Sequence, residues 1–210
     1  MRALICLHGL LSTRADFTAI TIKLKRRYDK IVCYDLPGHG TNALKYNTKN
    51  VKKFVVDIYD SLASQYEIID VIGYSMGGVM ACYLQSVRKV HRLVLLAPSY
   101  RYLNLKNYHY TKTSSGGKNK ISAVFPKKNY LHIFRFAKIM FDLSNEFSII
   151  YPETLILWGK EDYLVKEESG ILLFEKIKNK NKRLIQLERH NHFNILNSPQ
   201  VLNYVNDFLV

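Results

Sequence analysis

Residues 73–78 read GYSMGG, a serine set among glycines at the end of the apolar run VIGY. A serine hydroxyl is a poor nucleophile unless a base takes its proton and a third group orients that base. The chain must therefore supply an imidazole and a carboxylate if Ser75 is to attack anything. The spacing Gly73-x-Ser75-x-Gly77 suits a turn so tight that the serine takes strained backbone angles, where side chains two positions away on either side would clash. A helix beginning at Met76 would aim its unpaired N–H groups and its dipole at the same crevice. The competing reading is a glycine-lined turn whose serine only caps that helix.

The partners are sought in the order serine, acid, histidine that such a strand-to-helix turn carries. The apolar run TLILW at 154–158 ends in Gly159-Lys160-Glu161-Asp162, so a carboxylate stands just past a strand. Asp162 is the candidate acid and Glu161 the alternative; a plain turn or helix cap is the structural reading of Asp162. The run RLIQLE at 183–188 leads into Arg189-His190-Asn191-His192-Phe193. His192 is the candidate base, because the base sits several residues past its strand, on the loop before the final helix; His190 is the alternative. Acyl transfer also needs donors aimed at the oxygen that becomes negative. The backbone N–H of Met76 and that of Leu10, in LHGLLS at 7–12, are the candidate donors. His8 and Gly9 shape that second loop, Gly9 by letting the backbone come close and His8 as a structural side chain.

These groups need elements to hold them. Nearly continuous apolar runs at 3–7, 30–34, 68–73, 92–97, 154–158 and 183–187 predict strands buried on two faces. Between them, segments 16–27, 51–65, 76–88, 166–178 and 199–208 predict helices; Val51, Phe54, Val55, Ile58 and Leu62 form one apolar stripe. Ser198 as N-cap with Pro199 in the first turn marks the last start. Strands alternating with helices predict an α/β fold, with a mostly parallel sheet of about six strands joined by right-handed crossovers. The interval 99–151 breaks the rhythm, being aromatic and basic with a loose SSGGKNK at 114–120. A departure of that length predicts a functional insertion, here a helical cap (99–151) on a core made of 1–98 and 152–210.

Composition bounds the partners. The chain has 210 residues and 48% hydrophobic residues, enough for one sizeable core. Its formal charge is +14, and no acidic residue falls between Asp70 and Asp142. That stretch would attract an anionic substrate or a lipid surface, or else is a solvated compositional habit. Nucleic acid is not expected, since no recognisable DNA or RNA module is present. Cys6, Cys33 and Cys82 lie in apolar runs without CxxC spacing, which predicts buried reduced thiols, no metal site and a cytoplasmic protein. A signal-peptide reading of MRALICLHGLLS is set aside because cleavage would remove His8-Gly9.

Together, LHGL at 7–10, DLPGHGT at 35–41, GYSMGGVMA at 73–81, LLAP at 95–98, WGKED at 158–162 and HNHF at 190–193 resemble the α/β-hydrolase family across almost the whole chain. Within it, HGLLSTRADF and GHGT look most like small bacterial carboxylesterases and monoacylglycerol lipases. The resemblance implies Ser75 as nucleophile, Asp162 as acid, His192 as base, Leu10 and Met76 as oxyanion-hole residues, and no cofactor. It departs at Asn191, where the family usually has glycine; asparagine tolerates similar backbone angles. The chain also starts on the strand before HG, which implies a minimal sheet.

The activity expected is hydrolysis of a carboxylic ester with a short- to medium-chain acyl group, or of a monoacylglycerol. The fold alone does not choose this over a thioester such as acyl-CoA, carbon–carbon hydrolysis or perhydrolysis. A binding protein that keeps the fold without using the three residues is the alternative of another class. The aromatic residues of 99–151, among them Tyr100, Tyr108, Phe134, Phe136 and Phe141, either line an acyl pocket or form the core of the cap.

Overall fold

A computed structural model describes residues 1–101 and 130–209. Strands β1 (Arg2–Leu7), β2 (Lys30–Cys33), β3 (Ile68–Tyr74), β4 (Arg92–Leu96), β5 (Glu153–Gly159) and β6 (Lys182–Leu187) form one sheet in the order β2-β1-β3-β4-β5-β6. Every neighbouring pair is parallel. Helices α1 (Thr18–Leu24), α2 (Thr48–Ala63), α3 (Met76–Val87), α4 (Tyr130–Ser144), α5 (Glu167–Lys176) and α6 (Pro199–Phe208) complete the described elements.

Parallel strands need helical crossovers, and the crossovers bury both faces of the sheet. Residues alternate across it accordingly. Ala3, Ile5 and Leu7 face a core shared with α2, α3, α4 and α5. Leu4 and Cys6 face a second core with Phe17, Ile20 and Leu24 on one side of the chain and Val201, Val205 and Phe208 of α6 on the other. A two-residue period reaches two cores because neither face is left to water.

Helix limits follow local chemistry. Asn47 accepts the Asn50 N–H (2.9 Å) and starts α2 three residues before the apolar stripe. Ser198 caps α6 with Pro199 in its first turn. The single helix expected over 16–27 is instead a 3-10 turn, Arg14–Phe17, followed by α1. Thr13 caps that turn, which shifts the start upstream.

In the 99–151 interval the described residues hold one helix, α4, and an isolated bridge from Ile150 to Ile177. Phe136, Ile139, Met140 and Leu143 of α4 enter the core shared with α3. Phe134 and Phe141 point outward. Tyr100 is buried against Phe147. Tyr108 lies outside the described residues.

The basic interval is partly neutralised. Arg88 pairs with Asp60 (2.6 Å), Arg92 with Glu153 (3.0 Å) and Lys138 with Asp142 (2.9 Å). The lysines from Lys106 to Lys128 lie outside the described residues. Cys6 and Cys82 are buried free thiols, while Cys33 is only half-buried, as it ends edge strand β2, which has a neighbour, β1, on one side alone. Among the described residues no helix is long and apolar enough to cross a membrane.

Candidate active site

The sheet order reverses at β1. Strand β2 lies on one side of it and β3 on the other, and the loops leaving β1 and β3 diverge beyond their carboxyl ends. A crevice at such a switch point is where α/β sheets hold ligands. The loop after β1 carries His8-Gly9-Leu10, and the turn after β3 carries Ser75.

Ser75 has φ 53° and ψ −116°, a left-handed backbone that a side chain normally avoids. Two glycines make the turn possible. A Cβ on Gly73 would overlap the carbonyl of Gly77, and one on Gly77 would overlap the carbonyl of Leu7. With neither present, α3 sits hard against β1 and β3. The Ser75 N–H donates to the Leu96 carbonyl (2.9 Å), which ties the turn to the end of β4. Its hydroxyl makes no capping bond to α3; it lies 2.9 Å from Nε2 of His192. The helix-cap reading of this serine is therefore not what the geometry gives.

Asp162 follows β5 in a turn closed by its own N–H on the Gly159 carbonyl (3.0 Å). One carboxylate oxygen accepts the Leu164 and Val165 N–H groups, each at 2.9 Å, while the other accepts from Nδ1 of His192 at 2.7 Å. Cap and imidazole partner are thus one residue using two oxygens. Glu161, the alternative, is exposed. Ser75, Asp162 and His192 are each buried.

His192 stands after β6, on a loop brought close by Gly159, whose Cβ would overlap the His190 carbonyl. His190 is turned away. Its Nδ1–H donates to the Glu188 carbonyl (2.6 Å) and its Nε2 accepts from Ser198, the α6 cap, at 2.7 Å. Asn191 does not take left-handed angles; Arg189 does, with φ 57°. Asn191 instead accepts the Phe193 and Asn194 N–H groups at 2.9 and 3.0 Å, so a side-chain cap stands at the position of the glycine usual in the family that the chain resembles.

Gly9 brings the other loop beside the serine, since a Cβ there would lie 3.2 Å from the Cβ of Ser75. His8 is fully buried. Its Nδ1–H donates to the Gly9 carbonyl (2.8 Å) and its Nε2 accepts the Leu36 N–H (2.9 Å), which fixes a neutral tautomer. Burial lowers its pKa, against the opposing pull of the Gly9 carbonyl and the Asp35 charge. Leu10 borders the same cavity as Ser75, and Met76 is the first residue of α3.

Two contributors escaped the sequence reading. Tyr74 packs against the His192 ring (5.2 Å between centroids) and donates its hydroxyl to the His192 carbonyl at 2.8 Å. Asp35 accepts the backbone N–H groups of Thr41 and Arg14, each at 2.9 Å, which joins the loops after β1 and β2. Those backbone donors, Thr41 foremost, hold its carboxyl down at about 2. The only sequence signal for either was position: the x before the serine, and the first residue of DLPGHGT.

A cavity of about 270 Å³ opens onto Ser75 and His192. Its apolar wall includes Phe136 of α4 together with Leu164, Val165 and Phe193. Among the described residues no cluster of three or more His, Cys, Asp or Glu could hold a metal ion.

A model of the alpha/beta hydrolase family matches residues 4–126. A hydrolase of Bacillus subtilis named YugF is 23% identical, over 99% of this chain and 90% of its own. A carboxylesterase of the same organism is 23% identical over 91% of this chain and 84% of its own. In three dimensions the chain resembles a solved structure described with LipS and LipT, two metagenome-derived lipolytic enzymes, with a TM-score of 0.78 and 15% identity. That likeness covers 99% of this chain and 93% of the other. The six-stranded parallel sheet, the strained serine turn and the matched family model lead to one conclusion: the chain belongs to the alpha/beta hydrolase family.

Proposed function

We propose that the protein is a serine hydrolase that cleaves carboxylic esters through an acyl-enzyme. The observation that carries this reading is the unbroken hydrogen-bonded run from Ser75 through His192 to Asp162 beside an open cavity. In it, Ser75 Oγ attacks the acyl carbonyl while His192 Nε2 takes the hydroxyl proton. Asp162 keeps Nδ1 protonated, orients the ring and stabilises the imidazolium. The oxygen that turns negative is received by the N–H groups of Met76 and Leu10. Donors of this kind are each worth about a hundred- to a thousandfold in rate. The C–O bond then breaks, and His192 returns its proton to the leaving alcohol. Water then gives a proton to Nε2 as its oxygen attacks the acyl carbon. The bond from that carbon to Ser75 Oγ breaks, and Nε2 returns the proton to Oγ, freeing the acid and the serine hydroxyl.

The cavity volume supports a short acyl chain, since ligand sites usually span roughly 300–1,000 Å³. The curated carboxylesterase relative supports an ester over other substrates of this fold. Two measurements test the reading together. The protein should label with a fluorophosphonate probe and turn over short p-nitrophenyl esters. Ser75→Ala should fold and do neither, a loss of about five orders of magnitude or more in kcat. Turnover retained by a folded Ser75→Ala variant refutes the assignment, and an unlabelled wild type points to the binding-protein alternative.

A further inference from the structure

The cavity has a second wall of different chemistry. Ser12, Thr13 and Asp16 border the space into which Ser75 and His192 open. Asp16 belongs to the 3-10 turn Arg14–Phe17, whose N-cap is Thr13. The Ser12 hydroxyl donates to the Asp16 carboxylate. Among the described residues Ser12 is the only side chain bonded to that carboxylate, and no lysine, arginine or histidine is paired with it. An acceptor-only group thus stands half-buried at a cavity that also has an apolar lining, in a protein that has 31 Lys and Arg to draw on.

We propose that Asp16 makes this a site for cationic esters: the apolar arm packs against Leu164, Val165 and Phe193, and a positively charged arm faces the carboxylate. The proposal rests on the ester-hydrolase reading above, since it needs an ester carbonyl at Ser75. The physical case is local against global charge. A net charge of +14 favours anions at long range, but salt screens that field beyond roughly 8–10 Å. Inside a partly closed cavity a carboxylate a few ångströms from the ligand is screened far less. The nearer charge therefore sets the preference, opposite in sign to the one the composition suggests.

A pair of esters of equal shape isolates this effect. Choline butyrate carries a trimethylammonium group where 3,3-dimethylbutyl butyrate carries a neutral tert-butyl group. In the full-length wild type, kcat/KM for the choline ester should exceed that for its neutral twin by about tenfold, the ratio that about 1.4 kcal/mol provides. In Asp16→Asn the ratio should fall towards one. Because both esters are read in the same protein, a general loss of activity cancels. A wild-type ratio near one, or a ratio that survives Asp16→Asn, overturns the proposal. If the wild type hydrolyses neither ester, the ester-hydrolase reading fails by itself, and the two compounds are then compared as ligands by titration calorimetry. Tighter binding of the choline ester that depends on Asp16 sustains the cation site; equal affinities overturn it.

Discussion

Two aspartate–histidine pairs lie at opposite ends of the sheet. Beyond the carboxyl ends of the strands, Asp162 holds Nδ1 of His192 at 2.7 Å. At the amino ends, Asp70 holds Nδ1 of His91 at 2.8 Å. Chemically the two couples are alike, and each carboxylate side chain is fully buried. Their surroundings differ. Asp70 also accepts from Arg2 (2.9 Å), the Tyr28 hydroxyl (2.7 Å) and the Arg92 N–H (2.9 Å), and the His91 side chain is 45% exposed. Burial, reinforced by the Asp70 charge, raises the Tyr28 pKa, so that hydroxyl stays a donor. Asp162 spends its other oxygen on two backbone N–H groups, and His192 keeps its second nitrogen for Ser75. A carboxylate beside an imidazole is therefore not in itself a reactive device. What sets the two ends apart is a strained hydroxyl and a cavity, which parallel strands offer only where their loops diverge.

Substituting each pair tests that contrast. The largest effect should come from the imidazoles. His192→Ala should lower kcat by about four to six orders of magnitude, while His91→Ala should leave turnover within about twofold. Comparable losses from both would abolish the distinction. Next come the carboxylates. Asp162→Asn can keep its bonds to Leu164 and Val165 but presents an amide to Nδ1, which forces the proton onto Nε2. Steady-state kinetics should then show a fall in kcat on the order of 10³–10⁴. Asp70→Asn should instead cost about 1.5–3 kcal/mol in urea denaturation, because a buried amide cannot accept from Arg2, Tyr28, His91 and the Arg92 N–H as the carboxylate does, with kcat per folded molecule kept.

Smaller effects sharpen the picture. Tyr74→Phe removes the donor to the His192 carbonyl; kcat should drop roughly two- to tenfold with KM nearly constant. A change in KM alone would mean that Tyr74 only shapes the cavity. The smallest effect concerns Asp35, whose folded pKa of about 2 lies below the ordinary carboxylate value of about 3.9. A depressed folded pKa adds stability above the unfolded value, and that stability is lost as the pH falls through the folded one. Urea midpoints measured from about pH 5 to pH 2 should thus decline less steeply in Asp35→Asn than in the wild type.

The sequence was most readable where one short segment fixes its own geometry. The apolar runs marked all six strands within about two residues, because strands buried on both faces carry no polar interruptions. Ser75, Asp162 and His192 could be singled out because each follows such a run, in an order the topology fixes. Residues whose roles depend on distant partners were hidden. Tyr74 meets a carbonyl 118 positions away, and Asp35 meets Arg14 across 21. Helix α4 was legible in principle, since Phe136, Ile139, Met140 and Leu143 recur at three- and four-residue steps. Its aromatic residues suit a pocket wall as well as a packed face, so composition alone does not separate the two. Nothing in the sequence sets Asp16 apart as the first residue of an expected helix, and only the folded loop after β1 brings it to the cavity.

The φ of 53° at Ser75 carries an evolutionary implication. Glycine occupies that corner of backbone space freely, so Ser75→Gly would relieve on the order of 1–3 kcal/mol of torsional cost. It would also delete the hydroxyl proposed above as the nucleophile. Torsional ease and the proposed turnover thus make opposite demands on one residue.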